Sequence, residues 1–355
     1  MTLYCGLVGL PNVGKSTLFN ALTKGKANAA NYPFCTIEPN TGITIVDDPR
    51  LKKIANLVGA AKVIPKTIEF VDIAGLVSGA HKGEGLGNEF LGQIRNTHLI
   101  IQVVRCFQHK EITHVAGKID PTADIETIKT ELILADLTTI ERLKIKLDRQ
   151  AKTGEKKARF RIELLQKITS NLEAEIPIRA LTLNESEQGI IQEWNFLTAK
   201  PVIYLANYDP EDGLPIIQLE NNEVIFPISA YLESELSQLS SEEIGSFWEE
   251  LSYADDRINR LTELCYQHLG LITFYTAGPK ETRAWQLQKG ATAVKAAETI
   301  HTDFARGFIR AEVISYKDFI ESGSEHDARK KGRLRLEGKD YIVQDGDIIH
   351  FLFNV

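Results

Sequence analysis

Short apolar runs recur through the first two thirds of the chain and alternate with stretches whose apolar residues return at helical spacing. Residues 3–8, 42–46, 67–72, 99–104, 202–206 and 224–228 are the predicted strands. Several are continuous runs rich in Val and Ile, as expected of strands covered on both faces of a mostly parallel sheet. A glycine-rich turn follows the first run, and a helical pattern opens at Lys15. Strand, turn and helix in that order predict an α/β body.

Residues 124–199 break the alternation, because they hold no strand-like run and keep a helical period. Ile125, Ile128 and Leu132 form one stripe, and Ile133, Leu137, Ile140 and Leu147 form a second. Thr153 and Gly154 interrupt the period, which Phe160, Leu164, Leu165, Ile168 and Leu172 resume. The pattern predicts an αα-hairpin, a helical arm inserted into the α/β body. From residue 271 strands are predicted over 271–275, 283–287, 308–313, 341–343 and 348–353, with a helix over 293–301. They predict a small α+β sheet domain. The expected organisation is a first domain over 1–270, interrupted by the insertion 124–199, and a second over 271–355.

A length of 355 residues fits two domains of about 150 residues with an insertion. With 43% apolar and 25% charged residues, the chain falls outside the disordered, collagen-like and membrane-spanning classes. The net charge of -7 argues against a uniformly cationic nucleic-acid binder. It does not exclude a local patch, and the arm carries Lys144, Lys146, Arg149, Lys152, Lys156, Lys157, Arg159 and Arg161. A solvated helix face is the plain reading of that run, and a phosphate-binding patch is the other. Cys5, Cys35, Cys106 and Cys265 lie far apart without zinc-site spacing, so reduced thiols are expected. The N-terminus runs from Met1 straight into the glycine-rich turn, and no apolar run approaches the ~18 residues of a membrane span. The expected location is the cytoplasm, without membrane association.

Gly9-Leu10-Pro11-Asn12-Val13-Gly14-Lys15-Ser16, followed by Thr17, fits the eight-residue phosphate-loop pattern in full and lies between a strand and a helix. Its glycines let main-chain N–H groups and the positive helix end surround a β-phosphate. The expected nucleotide contacts here are Gly9, Asn12, Val13, Gly14, Lys15, Ser16 and Thr17. Lys15 is expected on the β- and γ-phosphates as a catalytic cation, and the Ser16 hydroxyl on Mg²⁺. The bland alternative, a chance glycine-rich turn, leaves the flanking strand and helix unexplained.

Phosphoryl transfer needs a carboxylate near the metal, and Asp72-Ile73-Ala74-Gly75 supplies one at the end of a strand. Asp72 is therefore a metal candidate, and Gly75 is placed to offer its N–H to the γ-phosphate. Between the motifs lies the strand-poor stretch 31–40, a switch loop in which Thr36 is the candidate second protein ligand to Mg²⁺. The stretch 75–92, with Gly79, Gly83, Gly85 and Gly87, reads as a second switch. Ras-type enzymes place a water-orienting glutamine soon after this motif. Leu76 follows Gly75 here, so a polar catalyst must come from elsewhere or turnover is slow.

Taken together, GLPNVGKST, NYPFCTIEPN, DIAGLVSGAHKGEGLGNEFL, IHTDFARGFIRAEVI and DYIVQDGDIIHFLFNV resemble the Obg-related P-loop proteins, and among them the YchF or Obg-like ATPases. The resemblance covers essentially the whole chain. It implies an ATPase core with a P-loop, G-protein-like fold, a coiled-coil arm and a C-terminal TGS domain of β-grasp type, with an apolar residue replacing the catalytic glutamine. ATP is the implied substrate, Mg²⁺ the cofactor, and the ribosome the partner. Contact is expected with the large subunit or ribosomal RNA, through the arm or the TGS domain, by a monomeric chain. Asn12 resembles an asparagine that helps bind K⁺ in some relatives.

Guanine-specific relatives carry Asn-Lys-x-Asp after a strand, whose aspartate accepts from guanine's ring N–H and exocyclic amine. Here the strand 202–206 ends in Asn207-Tyr208-Asp209-Pro210, with proline in the aspartate position. Guanine selection is thereby impaired and adenine preferred. Glu211 falls one position later than the family's Asn-x-x-Glu, and Asp209 remains a residue able to reach a base. Asn207, Tyr208, Ser229, Ala230 and Tyr231 are the expected base-pocket residues. Gly117-Lys118-Ile119-Asp120 is a superficial alternative without the asparagine. For the missing polar catalyst, His114 matches a family histidine thought to swing toward the phosphate, and His81 in the glycine-rich switch is the competitor; a lone histidine is more often structural.

Four functions compete on this reading. An ATP-hydrolysing switch on the ribosome leads, against a conventional GTPase, a non-enzymatic nucleotide-holding scaffold and a metabolite kinase, for which no acceptor motif is visible.

Overall fold

The computed structural model describes residues 3–24, 40–75, 86–109, 111–115, 117–152, 156–217, 219, 223, 225–239, 243 and 256–354. The expectations placed on Cys35, Thr36, Leu76, His81 and Gly79, Gly83 and Gly85 lie outside these residues. In chain order the elements begin with β1 (Tyr4–Val8), α1 (Lys15–Lys24), β2 (Thr41–Ile45), α2 (Pro49–Val58), β3 (Val63–Ile64), β4 (Thr67–Asp72), α3 (Leu86–Arg95) and β5 (Leu99–Arg105). They continue with α4 (Pro121–Lys152), α5 (Lys156–Glu173), α6 (Glu185–Trp194), β6 (Val202–Asn207), β7 (Ile225–Ile228), α7 (Ala230–Leu236) and α8 (Arg257–His268). The C-terminal strands are β8 (Leu271–Thr276), β9 (Thr282–Gln288), β10 (Phe308–Ser315), β11 (Arg335–Glu337) and β12 (Asp347–Phe353).

Two compact units form. The larger spans 3–43 and 69–257, and the other spans 1–2, 44–68 and 258–355. In the larger unit the sheet runs β2-β4-β1-β5-β6-β7. β1 pairs in parallel with β4 and β5, β5 with β6, and β6 with β7. β5 is buried along its whole length, Gln102 and Arg105 included, as a central strand of a parallel sheet is. The register sets Leu7 beside Asp72, Arg105 beside Asn207, and Asn207 beside Ile228. Asp72, Arg105 and Asn207 thus share the carboxyl edge of the sheet, the edge at which open α/β sheets build their sites.

The helical insertion is α4 and α5, followed by a 3-10 turn and α6. Ile133, Ile140, Leu147, Leu164, Leu165, Ile168 and Leu172 share one apolar cluster with Ile191, Trp194 and Phe196. Phe160, expected in the stripe, is instead 41% exposed, and Ala158 is the buried residue of that turn of α5. Asp136, fully buried in α4, roots the arm by accepting from Leu197 N at 2.9 Å, Thr198 N at 2.8 Å and Thr198 Oγ1 at 2.7 Å. Lys144, Lys146, Arg149, Lys152, Lys157 and Arg159 are exposed, whereas Arg161 is paired with Glu193.

The second unit has the sheet order β11-β10-β12-β8-β9-β3. β8 and β9 pair antiparallel, as do β10 and β12, while β12 runs parallel to β8. Residues 341–343, predicted as a strand, form only the bridge Thr292–Ile342. Tyr341 Oη and Gln344 N both donate to Asp347 Oδ2, and these bonds fold the segment into a turn instead. β3, absent from the sequence reading, pairs with Thr282 and Arg283 of β9. α2 packs Leu51 and Ile54 into a cluster with Tyr275, Ala284, Ile314 and Phe319.

A buried polar knot joins the 44–68 segment to β8. Asp48 accepts from Arg50 N at 3.1 Å, as the cap of α2, and from Tyr275 Oη at 2.7 Å. Lys66 Nζ donates to Thr273 Oγ1 at 2.6 Å and lies 3.4 Å from Asp48. Arg50 reaches Asp345 at 2.6 Å. Burial alone would raise the Asp48 carboxyl, but donation from Arg50 and Tyr275 and the Lys66 charge bring it below the ordinary aspartate range.

Candidate functional site

At the end of β1 the chain turns through Asn12 and Gly14, both with positive φ, of 64° and 87°. A side chain on Gly14 would also overlap Asn207 Nδ2, and a Cβ on Gly9 would stand 2.8 Å from the Val103 oxygen. Glycine is required at both positions for different reasons, conformation at one and close approach at the other. The turn delivers Lys15 and Ser16 at the start of α1, where unpaired main-chain N–H groups favour an anion.

Lys15 Nζ lies 3.2 Å from Asp72 Oδ1, and Ser16 Oγ donates to Asp72 Oδ2 at 2.9 Å. Two motifs 56 residues apart in sequence therefore meet at one carboxylate. Asp72 Oδ1 is buried and makes no hydrogen bond. Gly75 brings its main chain against Pro11 of the turn, with room for a Cβ 3.4 Å from Pro11 N.

Asn207 ties the turn to the β7–α7 loop. Its Nδ2 donates to Val13 O at 2.8 Å, and its Oδ1 accepts from Ala230 N at 2.9 Å. Beside it opens a cavity of about 610 Å³ lined by Asn12, Gly14, Thr17, Asn207, Tyr208, Asp209, Ser229, Ala230 and Tyr231 on one side. Phe107, His109 and Ile112, from the turn after β5, also line it among the described residues. Ser229 Oγ caps α7 by accepting from Leu232 N, and Tyr231 is exposed at the rim. The mixture of apolar walls and amide groups suits a planar heterocycle.

The family models match both parts of the chain. The one described as a 50S ribosome-binding GTPase matches residues 4–136, and the one for the C-terminal domain of YchF GTPases, described as a protein of unknown function, matches residues 271–354. The chain is 53% identical over 363 residues to the ribosome-binding ATPase YchF of Haemophilus ducreyi, and 48% identical over 367 residues to that of Bacillus subtilis. Both alignments cover 100% of each chain. The solved structure of the Schizosaccharomyces pombe YchF GTPase is 34% identical with a TM-score of 0.88, covering 99% of this chain and 98% of that one. The chain belongs to the YchF family.

This YchF chain brings together Gly9, Asn12, Val13, Gly14, Lys15, Ser16, Thr17, Asp72 and Gly75 around one turn, with Asn207, Tyr208, Ser229, Ala230 and Tyr231 beside it. Glu211 lies exposed in the 3-10 turn Pro210–Asp212 and is not part of the cavity wall; Asp209, which borders the cavity, accepts from Glu211 N. Lys118 and Asp120 pair with each other at 2.9 Å, outside that wall. His114 is buried, with Nε2 2.9 Å from Asp124 Oδ2. Its neighbour Thr113 offers its oxygen to Asn12 Nδ2 at 3.2 Å, so the histidine segment abuts the phosphate-loop turn. Phe107, His109 and Ile112 escaped the sequence reading. The signal available for them was position alone: they follow the carboxyl end of a central strand.

Proposed function

We propose that this YchF chain binds ATP with Mg²⁺, hydrolyses it slowly when alone, and binds the ribosome in a manner set by its nucleotide state. The observation that carries the reading is the meeting of Lys15, Ser16 and Asp72 at a helix start whose neighbours Gly14 and Thr17 line the 610 Å³ cavity. Phosphate and base then have adjoining places. The Asp72 carboxylate, whose Oδ1 is ion-paired with Lys15 without a hydrogen bond, and the hydroxyl of Ser16 are hard oxygen donors that fit Mg²⁺. Ser16 and Asp72 would hold the ion, with Thr36 as a further ligand; when bound, the ion neutralises charge on the phosphate oxygens. Lys15 supplies a fixed cation to the β- and γ-phosphates. Asn12, placed beside Thr113, is the residue assigned to K⁺, and ATPase rates equal in K⁺ and Na⁺ remove that assignment.

The printed names of the relatives support the ribosome as partner, and the exposed cations of the arm support contact with ribosomal RNA; contact with the large subunit, by a monomeric chain, is part of the same proposal. Ordering of the two switch loops by γ-phosphate and Mg²⁺ is the expected signal passed to arm and TGS domain. A second reading, GTP hydrolysis, is favoured by Asp209 at the cavity wall. Competition of ATP against GTP, with and without ribosomes, decides between them. Tight binding of GTP alone overturns the adenine assignment, and ribosome binding that ignores nucleotide and salt overturns the switch.

A further inference from the structure

Arg105 closes β5 and is 1% exposed, the bulkiest of the fully buried side chains among the described residues. Placing a guanidinium there is costly unless its donors are used, and an apolar residue of similar volume would fill the space as well. Two of its three nitrogens are spent on one turn. Nε donates to Phe107 O at 3.2 Å, and one terminal nitrogen donates to Ile112 O at 3.0 Å. The guanidinium also stacks on the Phe107 ring, 4.6 Å from its centroid. The other terminal nitrogen is buried without a hydrogen bond. Burial pulls the group below the ordinary arginine range, and the Asp124 carboxylate opposes that shift.

Both carbonyls that Arg105 holds belong to residues lining the cavity, one at each end of the turn. The planar fork fixes the separation of those two ends, which an ammonium on a flexible stem cannot do. We propose that Arg105 is a positioning residue for the nucleotide base: it holds Phe107 and Ile112 as a preformed wall of the base cavity without touching the nucleotide. The inference rests on the reading of that cavity as the base pocket. Arg105 makes no direct contact with the phosphate end of the site, where Lys15, Ser16 and Asp72 hold one another and His114 pairs with Asp124; the link that remains is Thr113 O, next to Ile112, on Asn12 Nδ2.

The test measures ATP and inorganic tripolyphosphate binding with Mg²⁺ by calorimetry, together with ATPase kinetics, for the full chain and its Arg105→Lys and Arg105→Met variants. Lysine keeps the charge near Asp124 but loses the fork; methionine keeps apolar bulk should the first variant fold poorly. The expected result is an ATP affinity lowered by about 10- to 100-fold, as for a misplaced binding wall. Tripolyphosphate affinity should be unchanged, KM for ATP raised, and kcat at saturation within about twofold. Hydrogen exchange should quicken at the amides around Phe107 and Ile112 and not within β1. If ATP and tripolyphosphate weaken equally, or neither weakens, Arg105 merely fills the core and the proposal fails. If the unaltered chain itself binds ATP no better than tripolyphosphate, the base-pocket reading fails instead.

Discussion

Asn207, the last residue of β6, donates from Nδ2 to the main-chain oxygen of Val13 at 2.8 Å, and so fixes the phosphate-loop turn from a strand 194 residues away in sequence. Its other amide atom is used equally, on Ala230 N. Asn207→Ala leaves a buried acceptor and a buried donor unpaired, at about 1–3 kcal/mol each. ATP affinity is expected to fall about 10-fold or more, with a lowered melting temperature. Asn207→Asp keeps the acceptor for Ala230 but sets a buried carboxylate oxygen against the Val13 oxygen, so it should bind ATP as poorly and melt no higher than Asn207→Ala. Unchanged ATP affinity in both variants would show that the turn holds itself.

Lys15 and Ser16 share Asp72, each on its own carboxylate oxygen. Lys15→Ala is expected to abolish measurable ATP binding. Asp72→Asn retains an acceptor but removes the charge, so the Mg²⁺ concentration for half-maximal ATPase should rise about 10-fold or more. ATPase rates of the two variants across a Mg²⁺ titration check this. An Asp72→Asn protein with an unaltered Mg²⁺ midpoint takes Asp72 out of the metal site.

His114 is held on Asp124, one turn into α4. His114→Gln keeps a donor for Asp124 and removes the acid–base group. The expected outcome is a kcat lowered by about 10²-fold with ATP affinity intact, measured in single-turnover and equilibrium-binding experiments. ATP hydrolysis at the parent rate would leave His114 as a structural anchor for the start of α4.

Glu233, in α7 next to the cavity loop, is 4% exposed, and its Oε1 makes no hydrogen bond. Burial, and then the Asp256 carboxylate, push its carboxyl up to about 7 against the pull of Arg257. The unfolded chain releases this proton near pH 4.3. Between there and about pH 7 the folded chain keeps a proton the unfolded chain has lost, so stability falls as pH rises through that window and stays low above it. Glu233→Gln is therefore expected to be more stable than the parent by roughly 1–3 kcal/mol at pH 8. The gap should shrink steadily toward pH 5 in urea titrations; a gap of constant size would assign the gain to packing.

Much of this site could be read in the sequence, because its chemistry is local. Gly9 to Thr17 is a contiguous motif whose glycines answer to conformation, and Asp72-Ile73-Ala74-Gly75 is another at a strand end. The arm was legible through period alone, with Phe160 misassigned because the period does not say that the smaller Ala158 takes the buried place in the first turns of α5. What escaped depends on long-range pairing. Arg105 looks like a strand-end cation bound for solvent until Phe107 and Ile112 fold back over it. His114 reads as a candidate catalyst or a lone structural histidine, and nothing local shows that Asp124, ten residues on, meets it. No local pattern marks Val63 and Ile64 as partners of Thr282 and Arg283.

That last pairing alters what can be cut away. A truncation at residue 270 follows the sequence boundary of the C-terminal family match, yet it strips β8, β9 and β12 from a sheet that also owns β3, and leaves Leu51 and Ile54 of α2 bare. Asp48 and Lys66 lose Tyr275 and Thr273 together. The C-terminal portion is thus no detachable cassette: the chain threads it twice, once between β2 and β4 and once at the end. A shortened version is expected to be a damaged protein, and a graft between relatives should carry residues 44–68 along with 258–355.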